Sequence, residues 1–267
     1  MNEAKIIAIT QPSIRLDSPH NKSGEAMTAE EFIAYTARVS NPSNQHNTLT
    51  ASKLLSYLIK NKHWSPFEMV SVVMEINTTR DIARQILRHR SFSFQEFSQR
   101  YADPTSDLGF VERETRLQDQ KNRQNSIETN DEELQKCWYA KQKQQIHEAG
   151  LAYKWAIENG VAKEQARAVL PEGLTVSRMY MSGTLRSWIH YIDVRAEAGT
   201  QKEHRQVALA AQGQILKHFP SLHEYWIPDY IKMERLGEEF EKVLYDNLDD
   251  LYVTDEKPKS WWWRFWS

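Results

Sequence analysis

Short β-branched runs set between longer stretches of helical periodicity predict an α+β fold, or an irregular α/β one, for this chain of 267 residues. Three observations carry that expectation. Met69 to Asn77 alternates, with Val70, Val72, Met74 and Ile76 on one side, as a half-buried strand does. Leu185, Trp188, Ile189 and Ile192 repeat at i, i+3, i+4 and i+7, the stripe of an amphipathic helix. The nine glycines never fall as Gly-x-Gly-x-x-Gly, so a dinucleotide would have to be held by arginines and helix ends instead.

Taken in order, Ile6 to Ile9 reads as a first strand and Pro12 to Asn21 as a loop. Thr28 and Glu31 form a capping-box pattern ahead of Phe32, Ile33, Thr36 and Val39 at helical spacing. Asn41 to Asn44 is a turn, and Leu54, Leu55, Leu58 and Ile59 mark the inner face of a second helix. After the Met69 strand, Thr78 and Thr79 are placed to cap a helix that starts near Asp81 and runs through Ile82, Ile86 and Leu87. Residues 103–131 are polar and without strong periodicity, which predicts a functional loop or an insertion. A long helix from Glu132 to Asn159 ends at Gly160, and a shorter one from Lys163 to Val169 stops before Pro171. Leu174 to Met181 is a further strand, Gln201 to Phe219 a further helix, and Met233 to Leu251 a final helical stretch. The chain is expected to form one domain over residues 1–255, with a tryptophan-rich tail at 256–267.

Composition narrows the function. A net charge of −2 argues against a protein that coats nucleic acid, which would be basic overall. Cys137 is the only cysteine, which leaves no disulfide framework or thiolate zinc site, and its helical context without a histidine beside it marks it as a packing residue. No signal-like N-terminus and no long apolar run are present, so a cytoplasmic protein without a membrane span is expected. His-Glu-x-x-His spacing and Gly-x-Ser-x-Gly are absent as well, so no metal site and no serine nucleophile are expected.

The densest chemistry lies between Arg88 and Tyr101, where Arg88, His89, Arg90 and Arg100 stand among Phe92, Phe94, Glu96, Phe97, Ser98 and Gln99. Several guanidinium groups this close together repel one another, and an anionic ligand relieves that repulsion. The plainer reading, cations complementing a helix C-terminus, serves for any one arginine better than for the set. Gln85, Arg88 and His89 are spaced to share a helix face, and Arg186, His190 and Asp193 form the polar face of the Leu185 helix, with Arg195 just beyond. Glu96 serves equally as a counter-ion or a ligand contact. With no nucleophile in evidence, the chemistry is assigned to a bound cofactor.

Arg88-His89-Arg90, followed after seven residues by Ser98, resembles the signature of the flavin-dependent thymidylate synthases. Ala37-Arg38-Val39-Ser40, His63-Trp64-Ser65-Pro66-Phe67-Glu68, Arg84-Gln85, Arg167 to Pro171 and Leu185-Arg186-Ser187-Trp188 resemble that family's other blocks, in its order, over roughly residues 30–225. The resemblance implies a mixed or antiparallel sheet flanked by helices, and a homotetramer with active sites between subunits. It implies FAD as cofactor and methylation of dUMP to dTMP with methylenetetrahydrofolate and NADPH. It carries over Gln85, Arg88, Glu96, Phe97, Ser98, Gln99, Arg100 and Arg167 as dUMP contacts, and Arg195 as the group that activates the uracil. Ser65, Arg88, His89, Arg90, Glu96, Thr184, Arg186 and His190 become flavin contacts, with Ser40 as an additional candidate. The chain departs from the family at Thr184 and His190, where asparagine is usual, and at Gln99, where glycine is frequent. The same resemblance assigns no attack on uracil to an enzyme cysteine.

Two competing expectations remain. A nucleic-acid binder would place the arginines on phosphates and stack bases on Phe92, Phe94 and Phe97, and would be colourless. A family member without turnover would keep the fold and form no dTMP. The tail from Lys257 to Ser267 holds four tryptophans beside cations; packing on its own tetramer, or poor order, is the reading preferred over partner or membrane docking.

Overall fold

The computed structural model describes residues 2–13 and 26–226. The expected Met233–Leu251 helix, the tail at 256–267 and most of the Pro12–Asn21 loop lie outside the described residues. Among those described, four strands form an antiparallel sheet in the order β1 (Glu3–Ile9), β2 (Ser71–Thr79), β6 (Val176–Thr184), β3 (Ser93–Glu96). Its centre is the β2–β6 ladder, in register from Ser71↔Thr184 to Thr79↔Val176.

The alternation read from the sequence sets the two faces of this sheet. Val72, Met74, Ile76 and Thr78 of β2, with Ser177, Met179 and Met181 of β6, are buried against helices. The other face carries Glu75, Asn77, Arg178 and Tyr180, which pair across the strands: Tyr180 Oη donates to Glu75 Oε2 at 3.1 Å and Arg178 Nε to Asn77 Oδ1 at 3.0 Å. The α8 helix (Lys202–His218) packs on β1 and β2, and α7 (Leu185–Arg195) on α8. The α1 helix (Ala29–Ala37) carries the capping box, with Thr28 N–H donating to Glu31 at 2.8 Å and Glu31 N–H to Thr28 at 3.2 Å, and packs against α2 (Ala51–Lys60). Val39 falls outside α1 and is 69% exposed, so the helical stripe ends earlier than its spacing implies.

Several expectations are corrected. The β2 strand starts two residues later than Met69, because Ser65–Met69 winds into a 3-10 helix behind Pro66. Thr79 stands at the N-cap of α3 (Arg80–Ile86) but caps no amide; its hydroxyl bonds the Asp81 carboxylate and accepts from Arg113 at 2.5 Å. The 93–96 segment, assigned no element from the sequence, is strand β3, because β6 offers it an edge; a four-residue strand carries too little alternation to be recognised alone.

The polar stretch 103–131 is not a bare loop. It holds the short helix α4 (Pro104–Asp107) and a hairpin of β4 (Arg116–Gln118) and β5 (Ser126–Glu128). The hairpin's tip is folded around the Asp119 carboxylate, which accepts from the Lys121 and Asn122 amides and the Asn125 side chain. Its hydrophobic pattern is faint because ion pairs anchor it: Arg116 to Glu203, and Lys202 to Glu114 and Glu128. The α5 helix (Glu132–Glu158) is fastened by Gln142, which accepts from the Arg113 amide at 2.7 Å and donates to its carbonyl at 2.9 Å. The α5 helix also packs on α6 (Lys163–Ala166). Cys137 is exposed on α5 beside Glu133, not a packing residue, because only four positions of this helix, Gln142, Ala149, Tyr153 and Ala156, are buried. No helix among the described residues is long and apolar enough to cross a membrane.

Gly183 lets the segment after Arg90 close onto the sheet. A Cβ there would lie 2.4 Å from Phe92 Cδ1, well inside contact distance, and the Phe92 ring packs edge-on against Trp188 at 4.9 Å. Gly183→Ala should therefore displace Phe92 and cost about 1–3 kcal/mol in chemical denaturation. Gly150→Ala, in α5 with nothing within 4 Å of its Cβ, should leave stability equal or higher. Equal effects for the two variants would refute this account of the packing.

Candidate functional site

Both central strands turn directly into helices. The β2 strand runs into α3 and β6 into α7, and the two helices end close together, bringing His89 and Arg195 into contact. The α3 helix closes at Leu87, and the following turn is tightened by Arg88 N–H to Gln85 O (3.4 Å) and His89 N–H to Ile86 O (3.0 Å). The turn is pinned from below, with the His89 ring edge-on to Tyr191 at 4.9 Å and Phe92 on Trp188. Trp188 is itself fixed by its indole N–H donating to Val72 O at 3.1 Å.

Arg195 Nε–H donates to His89 Nε2 at 2.9 Å. That bond requires an imidazole with a lone pair, so His89 is neutral with its hydrogen on Nδ1. Burial, then Arg195, His190 and Arg88, push its pKa down to about 4. His204, behind it on α8, is pushed down to about 3 by burial first and then by Arg195. His204 Nε2 and the Tyr191 hydroxyl are buried without a hydrogen-bond partner among the described residues, and burial raises the Tyr191 pKa. Arg195 thus stands against the neutral His89, and Arg88 is a further cation whose charge reaches both His89 and His204.

The arginines of the candidate site and its surroundings differ in their partners. Arg80, Arg84, Arg100, Arg113, Arg116 and Arg186 each pair with a carboxylate. Arg88, Arg90, Arg167 and Arg195 have no carboxylate partner among the described residues. Arg38, Arg123 and Arg178 likewise pair with no carboxylate among the described residues; Arg38 is bonded to Asn47 O and Thr50, and Arg178 to Asn77.

The anticipated residues gather in three groups. Gln85, His89 and Arg195 meet at the ends of α3 and α7. Next to them, a cleft of about 490 Å³ is lined by Trp64, Glu68, Ser91, Arg186, His190 and Asp193 among others. The Arg186, His190 and Asp193 face of α7 therefore lines a cleft, although Asp193 is also bound by Tyr225 (2.8 Å) and Trp226 (2.9 Å), and Arg186 by Glu68. Ser65 opens the 3-10 helix that carries Glu68.

The third group is a turn at 98–101 facing the 163–167 segment. Arg100 pairs with Glu164 at 3.5 Å and Lys163 Nζ donates to Tyr101 O at 3.0 Å, which brings Arg167 into the same neighbourhood. Phe97 leads into it, its amide bonded to Arg178 O at 2.8 Å. Gln99 is 4% exposed and its Nε2 has no partner among the described residues, a buried donor without an acceptor.

Two residues have structural employment. Glu96 accepts from Ser177 Oγ at 2.7 Å and lies 3.5 Å from Arg80. Thr184 caps α7, accepting from the Ser187 amide at 3.2 Å. Gln201 and His204, which hold Gln85, were not foreseen; the only hint was their place in the Gln201 helix pattern, and the pairing spans 116 residues of sequence or more.

The family model described as thymidylate synthase complementing protein, Thy1, matches residues 25–221. A probable flavin-dependent thymidylate synthase of Paramecium bursaria Chlorella virus 1 is 48% identical over 219 residues, covering 82% of this chain and 96% of the relative. The chain belongs to the flavin-dependent thymidylate synthase family. A family member from Synechocystis is 47% identical over 220 residues, 82% of this chain and 97% of its own. The crystal structure of a UMP/dUMP methylase from Streptomyces cacaoi, bound with 5-Br dUMP, shares the fold at a TM-score of 0.68 with 23% identity, covering 84% of this chain and 94% of that one. The matched region contains the sheet from β2 onward, α7, α8 and all three groups of site residues.

The neutral histidines make acid stability a test of this geometry. Each has a folded pKa below the ordinary 6.5, so the unfolded chain binds the extra protons. Stability is complete above pH 6.5 and is lost as pH falls toward 4 for His89 and 3 for His204. The thermal midpoint should drop between about pH 7 and about pH 4.5, and less steeply in His204→Leu. Identical slopes would show that His204 is not held neutral by burial.

Proposed function

We propose that this chain is a cytoplasmic thymidylate synthase that methylates dUMP to dTMP, with FAD as cofactor, methylenetetrahydrofolate as one-carbon donor and NADPH as reductant. The observation that carries the reading is Arg195, a guanidinium without a carboxylate, held at Nε by a neutral imidazole. Its Nη groups make no hydrogen bond among the described residues, so they are available to a ligand. A guanidinium beside the pyrimidine N3 and its carbonyl stabilises negative charge there and polarises the ring toward hydride acceptance at C6. His89 stays neutral beside it, so the Arg195 charge is not opposed by a second cation in the same contact.

Substrate contacts are assigned to Gln85, Arg88, Glu96, Phe97, Ser98, Gln99, Arg100 and Arg167. Arg88 and Arg167 lack counter-ions, and the orphaned Gln99 Nε2 offers a donor to a phosphate or sugar oxygen. Flavin contacts are assigned to Ser65, Arg88, His89, Arg90, Glu96, Thr184, Arg186 and His190. The cleft suits such a group: Arg186 and His190 offer donors for a diphosphate, and Trp64 offers an apolar ring surface for a planar heterocycle. When bound and reduced, the flavin supplies the hydride. Cys137, on the outer face of α5, belongs to none of the three groups, in keeping with a reaction that needs no cysteine nucleophile.

The catalytic unit is read as one domain over residues 1–255, assembled as a homotetramer with sites between subunits. Support comes from α5, whose Leu134, Trp138, Tyr139, Leu151 and Trp155 are 39–64% exposed in one chain. Large apolar side chains in such number along one helix are the mark of a surface that another subunit covers.

The purified protein should be yellow and should form dTMP from dUMP, with NADPH oxidation that depends on dUMP. Arg195→Ala should retain the flavin absorption and lose about 10²–10³ in kcat. No dTMP from the unmodified enzyme at saturating substrates would overturn the proposal.

A further inference from the structure

Gln85 is the one anticipated substrate contact whose side chain is held at both ends by other side chains. Its Nε2 donates to Gln201 Oε1 at 2.8 Å, and its Oε1 lies 3.2 Å from His204 Nδ1. A primary amide is nearly symmetric in shape, and a half-turn about its last bond exchanges donor for acceptor at almost no steric cost. Something else has to decide which end is which.

That decision can be traced outward to a charge. Gln201 Nε2 lies 2.9 Å from Glu203 Oε2. Arg113 Nη1 lies 3.0 Å from the same oxygen, and Arg116 pairs with the other. Burial alone would raise the Glu203 carboxyl, but Arg113, the Gln201 amide and Arg116 hold it down at about 2. A carboxylate only accepts, so Gln201 must turn its NH₂ toward Glu203 and its oxygen toward Gln85. Gln85 must then turn its own NH₂ toward Gln201, leaving its oxygen to face His204. An amide oxygen cannot donate, so His204 carries its hydrogen on Nδ1. Each link has one permitted direction.

We propose that Gln201 and His204 are positioning residues that fix which end of the Gln85 carboxamide faces dUMP. The proposal rests on the assignment of Gln85 as a dUMP contact. A carboxamide has two N–H groups and two lone pairs; Gln201 takes one donor and His204 one acceptor. One donor and one acceptor remain, in a fixed order, before any ligand arrives. Without Gln201 the amide is free to present them in the reverse order, and the reversed amide meets the substrate with like poles together.

Gln201 is well placed for the test, because it stands at the N-cap of α8 without making a side-chain cap, and its replacement leaves the Arg113 and Arg116 pairs with Glu203 in place. The experiment measures dUMP affinity by titration calorimetry, together with KM and kcat, for the holoenzyme, Gln201→Met, Gln85→Met and the double variant. Gln201→Met should weaken dUMP binding and raise its KM about ten-fold, with kcat within about two-fold and the flavin spectrum and thermal midpoint unchanged. Because Gln201 acts through Gln85, the double variant should bind no more weakly than Gln85→Met alone. A loss below about two-fold in Gln201→Met, or losses that multiply in the double variant, would overturn the proposal while leaving Gln85 as a contact. If Gln85→Met binds dUMP as the unmodified enzyme does, the assignment of Gln85 fails and the positioning role fails with it.

Discussion

The antiparallel register of β2 against β6 is the constraint on which the rest depends. Each strand passes without a loop into a helix, β2 into α3 at Thr79 and β6 into α7 at Thr184. Register therefore places the two helices as well as the two strands. A slip of one residue would turn Val72, Met74, Ile76, Met179 and Met181 out of the core and carry His89 away from Arg195. The buried face of the ladder, lined by residues at 0% exposure, makes that slip prohibitive. Trp188 adds a second lock, since its indole N–H reads the backbone of β2 at Val72 from a helix that begins on β6.

On this frame charge is handled in two ways. Around the 111–131 segment, Arg113, Arg116 and Lys202 are matched to Asp81, Glu114, Glu128 and Glu203, and the half-buried network ties the hairpin to α3 and α8. Around the ends of α3 and α7, cations are left without carboxylates and the histidines between them are kept neutral by burial. The first arrangement is self-contained. The second leaves its charge without a carboxylate among the described residues, and the two are joined through Glu203, Gln201 and Gln85.

Much of this could be read from residue order. The Thr28–Glu31 cap, the Leu185 stripe, the long 132–158 helix and the buried side of β2 follow from local rules, because their signals lie within one or two turns of helix or one strand. The β3 strand and the 116–128 hairpin escaped because they are short and exposed or borrow an edge, so their stability comes from partners elsewhere in the chain. Thr79 was read as a cap because threonine before a helix is one; Arg113, thirty-four residues away, gives its hydroxyl a different partner.

By itself the sequence determined the α+β class and the local elements, and it singled out the Arg88-His89-Arg90 cluster, since composition and short-range periodicity specify these directly; Arg195 was marked as a candidate by the family resemblance. Only the tertiary structure decided which cations keep a counter-ion and which do not, because pairing depends on distances between segments that residue order leaves open. The same holds for Gln201 and His204. Nothing in their own neighbourhood marks them, and their role exists only where α3, carrying Gln85, comes against α8.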